Sequence, residues 1–565
     1  MFRCLLKFFA LFASLVSFSQ LCSAKLTDAE LLEKAKTMEQ IIADGIKKVK
    51  IPGATLVVAR NGKMTHMAVL GKTTLDSNNP EPITKTTLFP ISSITKNITA
   101  ILVGSLVDEG IISFDDKVRK YLPDFFVTNE ELSNEFTILD LISFRSGFKN
   151  FSADSLFRAG YGKQKCLDAF KYLKQKPGEY RKYYGYQNVI FGVVGDVIEK
   201  ATGEKYEDLV KKYIFDKMDM KTSSAIRLDF ETSRVGHFKY LLSRFSHDKV
   251  RLGFFKAAWN LILDPFKFTP KKKVISHSRY VDEVIPLEEV GIFHTFSATS
   301  GISFSAEDFA KWVEMLISKG SYRGQQIVSQ KTFEFLATPK VTMKKVKDDD
   351  YTFIKSRYVR EGLSYCSGMF KTKYGDEGKN AKEILFHMGG IYGACAFFAV
   401  APQDDFSVGV IINFGGTAIT LFPEYMVNQC LDLCFGFSKI DWVQKEIERK
   451  DYYKQKQRSY RADLSEKNPT PMEKPEKYVG TYKSDMYGKI KVTEADGKLY
   501  ISNGIKSAKL AHINGSMFEF PSKDMCFVAF DESEYASFFK DEYGNTNSLY
   551  LSCFDENNAI FQKQQ

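Results

Sequence analysis

The stretch FPISSITKNITAILVGSLVDEG, Phe89 to Gly110, decides how this chain is read. An apolar approach, Phe89-Pro90-Ile91, leads to Ser93, Thr95 and Lys96, and then to a helical run in which Ile98, Ile101, Leu102 and Leu106 share a face and Gly110 supplies a stop. Ser93 and Lys96 stand three apart, so on a helix both side chains lie on one side. Free N–H groups and the positive end of the helix dipole favour negative charge at the first turn. A serine oxygen activated by a neighbouring amine suits such a place, as does the oxyanion it raises on a carbonyl substrate. Burying the helix behind Lys96 would lower the pKa of the amine, as a base requires.

Ser-x-x-Lys alone is a cheap pattern. It also occurs at Ser146/Lys149, Ser246/Lys249 and Ser537/Lys540, where an ordinary surface pair is the plain alternative. Only the first copy has both the apolar approach and the apolar helix behind it. A second element is YYGYQNVIFGVVGDVIEKATG, Tyr183 to Gly203, in which Tyr186-Gln187-Asn188 precedes an apolar helix. A phenol beside an ammonium relays protons, and a carboxamide holds a substrate amide in register. Tyr543-Gly544-Asn545 repeats the spacing, so the pattern needs its context. The third element, His387-Met388-Gly389, is the only His-x-Gly in the chain. It ends an apolar strand pattern and is followed by Gly390, whose bare backbone lets a substrate carbonyl reach an N–H.

In this order the three elements resemble the three-part signature of serine β-lactamases and penicillin-binding proteins, whose related form is Ser-x-x-Lys, Ser-Asp-Asn, Lys-Thr-Gly. Tyr in the second part and His in the third look more like the class C β-lactamase, D-amino-acid peptidase and esterase branch. LVDEGIISFDDKVRKYLPDF (Leu106 to Phe125), LISFRSGF (Leu141 to Phe148), PGEYRKYYGYQN (Pro177 to Asn188) and SGISFSAEDFAKWV (Ser300 to Val313) resemble the connecting text of that family. The resemblance covers about Leu32 to Phe435, and the C-terminal segment resembles the small lipocalin-like domain of some members. It implies Ser93 as acylated nucleophile, Lys96 as base and Tyr186 as proton shuttle. Asn188 would orient the substrate amide, and His387 would stand where other members carry Lys, supporting Tyr186 and the substrate. Gly389 closes the third motif, and the N–H groups of Ser93 and Gly390 would form the oxyanion hole. No cofactor is implied. Met388 replaces the usual hydroxyl residue, and a thioether cannot donate a hydrogen bond to a substrate carboxylate. Penicillin-like recognition is disfavoured on that ground.

The 565 residues, 44 % of them apolar, suffice for a large core and more than one domain. MFRCLLKFFALFASLVSFSQLCSA (1–24) reads as a secretory signal, so the expectation is a secreted protein, periplasmic in a bacterium. TLVVAR and KMTHMAVLG flank Asn61-Gly62 as a β-hairpin. Strand patterns return in ILFHMGG, GACAFFAVA and FSVGVIINF (384–414), and a helix follows from about Glu424 to Cys434. The expected fold is α+β: an antiparallel sheet built from both ends of one domain, flanked by helices and with a mainly helical region inserted, followed by a small all-β barrel-like domain. The domain reading is 25–443 for the hydrolase, with an insertion at about 227–287, then a charged, proline-bearing linker over 444–476 and a β domain over 477–565.

Net charge is +10, and much of the surplus is local: 239–273 carries nine Lys/Arg against two Asp. That segment is either a face for an anionic membrane surface or a solvated insertion over the enzyme body. Nucleic-acid binding has no further support. Nine cysteines without a CxxC repeat, and seven histidines without HExxH, exclude the common metal sites and read as buried apolar residues with room for one or two bridges. No Gly-x-Ser-x-Gly elbow is present. Of the glycosylation patterns at Asn97, Asn150 and Asn514, the first falls inside the catalytic helix and is expected unmodified. The functional expectation is a hydrolase of a small-molecule or peptide amide or ester. The rival from another class is a non-catalytic binding or scaffolding protein that keeps the hydrolase fold.

Overall fold

The computed structural model describes residues 26–564 apart from 75–79, 176–177, 226–276, 281–282, 287–294, 344–362, 377–380, 392, 416–419, 465–468, 522–532 and 558. The signal segment and the basic 239–273 stretch lie outside the described residues. Of the insertion, only the paired strands His277–Tyr280 and Glu283–Pro286 are described.

Helix α1 (Asp28–Lys48) starts on a capping box in which Thr27 and Glu30 bond each other's backbone N–H groups. It leads into β1 (Gly53–Arg60) and β2 (Lys63–Gly71), joined as expected through Asn61 and Gly62 at φ +51° and +69°, the left-handed pair that a two-residue hairpin demands. The helical region follows, with α2 (Thr95–Asp108), the five-residue α3 (Asp154–Arg158), α4 (Asn188–Thr202) and α5 (Ala306–Ile317). The chain then returns through β3 (Val341–Thr342), β4 (Ser364–Tyr365), β5 (Phe370–Tyr374), β6 (Lys382–Ile391), β7 (Ala394–Ala401) and β8 (Phe406–Ile412). Helix α6 (Phe422–Phe435) packs against α1, β7 and β8.

All eight strands form one antiparallel sheet in the order β2-β1-β8-β7-β6-β5-β4-β3. β1 from the start of the domain pairs with β8 from its end, Val57 opposite Gly409. The sheet therefore closes only when both ends of the domain have folded. β1, β7 and β8 are buried almost throughout, being covered on both faces. Helix α2 lies in the interior: every residue from Thr95 to Leu106 is buried, which its apolar residues on all sides require. Asn97 is among them, accepting a 3.0 Å hydrogen bond from the Trp312 indole.

The expected linker begins as helix. Trp442–Leu464 forms α7, because Lys, Gln, Glu and Arg are strong helix formers. Trp442 anchors it, buried, with its indole N–H on Asp432 at 2.8 Å. Beyond it, nine short strands from Gly480 to Lys563 make a second antiparallel sheet that curls into a nearly closed barrel around Tyr482, Ile490, Phe518, Phe538 and Leu549. This β domain meets the helical region at α3, where Asn503 Nδ2 donates to the carbonyl oxygen of Ala159 at 3.3 Å in a buried contact. The six described cysteines are buried. Among the described residues, no helix is long and apolar enough to cross a membrane.

Leu102 lies fully buried at the centre of α2. Truncating it to alanine is expected to destabilise the larger domain by about 2–5 kcal/mol, read as a lowered urea midpoint of its unfolding transition.

Candidate active site

Ser93 sits in a single 3-10 turn, Ser92–Ile94, that runs directly into α2. Ser92 holds a φ of +47°, a left-handed conformation that costs a residue with a β-carbon of order 1 kcal/mol or more. The turn is fixed from outside: the Ser92 hydroxyl donates to the carbonyl oxygen of Gly390 at 3.0 Å. The outcome is selective exposure. From Ile91 to Leu106, Ser93 is the one residue that is not buried.

Lys96 is wholly buried one turn on, its Nζ 2.9 Å from Ser93 Oγ and 3.1 Å from the Thr299 carbonyl oxygen. The amine also lies 4.9 Å from the centre of the Tyr186 ring and 5.8 Å from that of Phe191. Burial in this aromatic setting brings its pKa down to about 7, with the charge of Asp154 opposing the fall.

Tyr186 shares a hydrogen bond with Ser93. Burial pushes its phenol well above the usual tyrosine range, so it carries its proton at neutral pH. Its main chain is clamped by the loop before α3: the Tyr186 N–H donates to Asn150 Oδ1 at 2.8 Å, and the Phe151 N–H donates to the Tyr186 carbonyl oxygen. The two segments leading to these residues are tied at Asp140, fully buried, which accepts from Arg145, Tyr180 and Arg181. Burial works against the Asp140 charge, but these donors outweigh it and hold the carboxyl below the ordinary range. Asn188 opens α4, and its Nδ2 donates to Asp154 Oδ2 at 2.5 Å.

The third element lies on β6, which packs against the Ser92–Ile94 turn. At Gly389 no side chain fits: a β-carbon would stand 2.0 Å from the Ile91 carbonyl oxygen and 3.2 Å from the Ser93 nitrogen. Gly390 turns its carbonyl oxygen to Ser92. In a regular strand the N–H and C=O of one residue point the same way, so the Gly390 N–H faces the serine turn as well. His387 is fully buried, and its pKa falls to about 3, through burial first and the charge of Lys96 second. Its Nδ1 lies 2.7 Å from the Met388 carbonyl oxygen, which only accepts, so the ring proton is on Nδ1. Nε2 is then an acceptor, 3.4 Å from the Tyr365 hydroxyl. His387 thus belongs to the cluster but is neutral, and its hydrogen bonds go to Met388 and Tyr365 rather than to Tyr186, a correction to the support expected of it.

The competing copies of the motifs separate cleanly. Ser146 is buried and bonds Gln187 while Lys149 is exposed, Ser537 and Lys540 lie on a strand of the β domain, and Ser246/Lys249 lies outside the described residues. Tyr543 is 80 % exposed in a turn. Ser93, Lys96, Tyr186, His387, Gly389 and Gly390 converge, with Asn188 joined through Asp154. Sequence reasoning missed Asp154, Tyr365 and the Thr299 carbonyl. Neither the carboxylate nor the carbonyl had a local signal, since Asp154 meets Asn188 from 34 positions away and a backbone acceptor leaves no mark on the sequence. Among the described residues, no cluster of three or more His, Cys, Asp or Glu could hold a metal ion.

A serine in the turn that opens a buried helix, an amine one turn on, a phenol and a glycine-bearing strand of a sheet closed by both ends of its domain define a serine-hydrolase type of architecture. The chain belongs to the β-lactamase family, whose profile matches residues 38–419. Residues 464–563 match a further family described as a domain of unknown function, DUF3471. Protein flp of Staphylococcus aureus (strain MW2) is 20 % identical over 414 residues, spanning 71 % of this chain and 67 % of that protein. An N-acetylmuramyl-L-alanine amidase of Bacillus subtilis (strain 168) is 22 % identical over 362 residues, 59 % of this chain and 76 % of that one. Among solved structures, the octameric penicillin-binding protein homologue from Pyrococcus abyssi superposes with a TM-score of 0.53 at 18 % identity, covering 93 % of this chain and 99 % of that one. A class C β-lactamase superposes with a TM-score of 0.50 at 15 % identity, covering 71 % and 96 %.

Gly389→Ala is expected to keep the far-ultraviolet circular dichroism of the parent and to slow modification of Ser93 by a fluorophosphonate about 100-fold. The added methyl must push β6 off the serine turn, and sub-ångström placement is what reactivity needs.

Proposed function

We propose that this protein is a secreted serine hydrolase that cleaves an amide or an ester through an acyl-Ser93 intermediate. The observation that carries the reading is the 2.9 Å approach of Lys96 Nζ to Ser93 Oγ, with the amine brought by burial to a pKa of about 7. A lysine in that state is half neutral at physiological pH and can accept a proton, which an exposed lysine cannot do.

In this mechanism the Ser93 hydroxyl gives its proton to Lys96, and Oγ bonds to the substrate carbonyl carbon. The carbonyl π electrons move to oxygen, which the N–H groups of Ser93 and Gly390 receive. Collapse breaks the bond to the leaving group, which takes a proton from the Tyr186 phenol, and Lys96 restores that proton. Water then attacks the acyl-serine by the same route and returns Ser93 to its hydroxyl form. Lys96 is the better initiating base of the two candidates, because Tyr186 keeps its proton at neutral pH. Asn188 Nδ2 is engaged by Asp154, which leaves its carbonyl oxygen as the group to meet a substrate amide N–H. Met388 offers no hydrogen bond to a substrate carboxylate, which favours an ester or a neutral amide over a penicillin.

A fluorophosphonate probe should label the wild-type chain on the peptide containing Ser93 and leave Ser93→Ala unlabelled; label persisting in that variant removes the mechanism. The labelling rate should rise with pH about a midpoint near 7, since deprotonation turns Lys96 into a base. With a p-nitrophenyl ester, Tyr186→Phe should lower kcat by about 100-fold with little change in KM. An unchanged kcat takes the phenol out of the proton path.

A further inference from the structure

Asp154 is 4 % exposed, at the first position of α3. Its carboxylate accepts from Asn188 twice, from the backbone N–H and from Nδ2 at 2.5 Å. Asn188 is the first residue of α4, and no side chain of the preceding Gln187 caps that helix. Asp154 therefore closes the positive end of a fifteen-residue helix from another element. Its second oxygen, Oδ1, is buried and has no hydrogen-bond partner among the described residues. A buried carboxylate left half satisfied is unfavourable unless an opposite charge stands near it. Asparagine in this place would accept from Asn188 as well as aspartate does. Charge is what only the carboxylate adds.

We propose that Asp154 is a positioning residue of this site, which fixes the Asn188 carboxamide and sets a buried negative charge opposite the Lys96 amine. The proposal rests on the hydrolase reading above. Among the described residues, Lys96 is also faced by Tyr186, a protonated phenol from the segment before α4, and by His387, a neutral imidazole from β6. Burial raises the Asp154 carboxyl above the ordinary range, and Arg158, one turn along α3, followed by Asn188 and Lys96, opposes that rise and favours the ionised form. Among these, Asp154 is the anion that Lys96 senses, and it acts against burial, which alone would drive the amine still lower. An amine driven too low sheds its proton readily but is too weak a base to take one from serine. Asp154 keeps Lys96 between those failures.

The test is the rate of fluorophosphonate labelling of Ser93 from pH 5 to 9 in the full-length chain and in Asp154→Asn, Asp154→Glu and Ser93→Ala. Removing the anion lowers the pKa of Lys96, so in Asp154→Asn the labelling midpoint is expected to fall by about one pH unit or more, and the high-pH plateau by about tenfold. Asp154→Glu, which keeps the charge, should retain a midpoint near that of the wild type. A midpoint unmoved in a folded Asp154→Asn overturns the role of Asp154 and leaves the hydrolase standing. Absence of Ser93 labelling in the wild type overturns the hydrolase reading and the proposal with it. Should Asp154→Asn fail to fold by circular dichroism, Asp154→Ser, also uncharged, makes the same comparison.

Discussion

An ammonium group taken out of water holds its proton only as long as something replaces the lost hydration. At Lys96 the replacement among the described residues is one hydroxyl, one carbonyl oxygen, two aromatic faces and the charge of Asp154. Much of the architecture follows from keeping water away from that nitrogen. Helix α2 must be covered on every side, so it lies inside the domain, and the sheet that backs it is closed by the pairing of β1 with β8. Ser93 is left as the single opening in an otherwise buried segment, so the hydroxyl meets solvent while the amine beside it does not.

The surrounding groups divide sharply by charge state. Tyr186 keeps its proton through burial, and His387 stays neutral through burial and the neighbouring ammonium. Only Lys96 is poised near neutrality. In the family pattern the place of His387 is held by a lysine, which would put a second cation in the cleft. Here an imidazole turned to Tyr365 and to its own chain puts none there. Met388, in the position of a hydroxyl residue, likewise has no hydrogen-bond donor in its side chain.

The sequence made most of the frame readable because its signals were local. The Asn61-Gly62 turn, the alternating strands near the C-terminal end of the domain and the apolar run after Ser93 each depend on neighbours in the chain. The order of the three motifs added what spacing alone lacked, since Ser-x-x-Lys and Tyr-x-Asn both recur in places without chemistry. What escaped was non-local or charge-dependent. Asp154 lies 34 positions from Asn188 and acquires meaning only when α3 lands beside α4. The tautomer of His387 follows from a carbonyl on its own strand. The helix at Trp442–Leu464 was hidden because charged residues make good helices and good linkers alike, and only the burial of Trp442 against Asp432 decides between them.

The β domain touches the hydrolase at a telling place. Asn503 holds Ala159, the residue that follows α3, and the turn Ser552–Asn557 packs beside the same short helix. Asp154 stands at the other end of that helix, five residues away. Along a helix that separation is about 7 Å. One short helix thus carries a contact with the barrel at one end and the partner of Asn188 at the other, so the two domains share a single support beside Ser93 and Lys96.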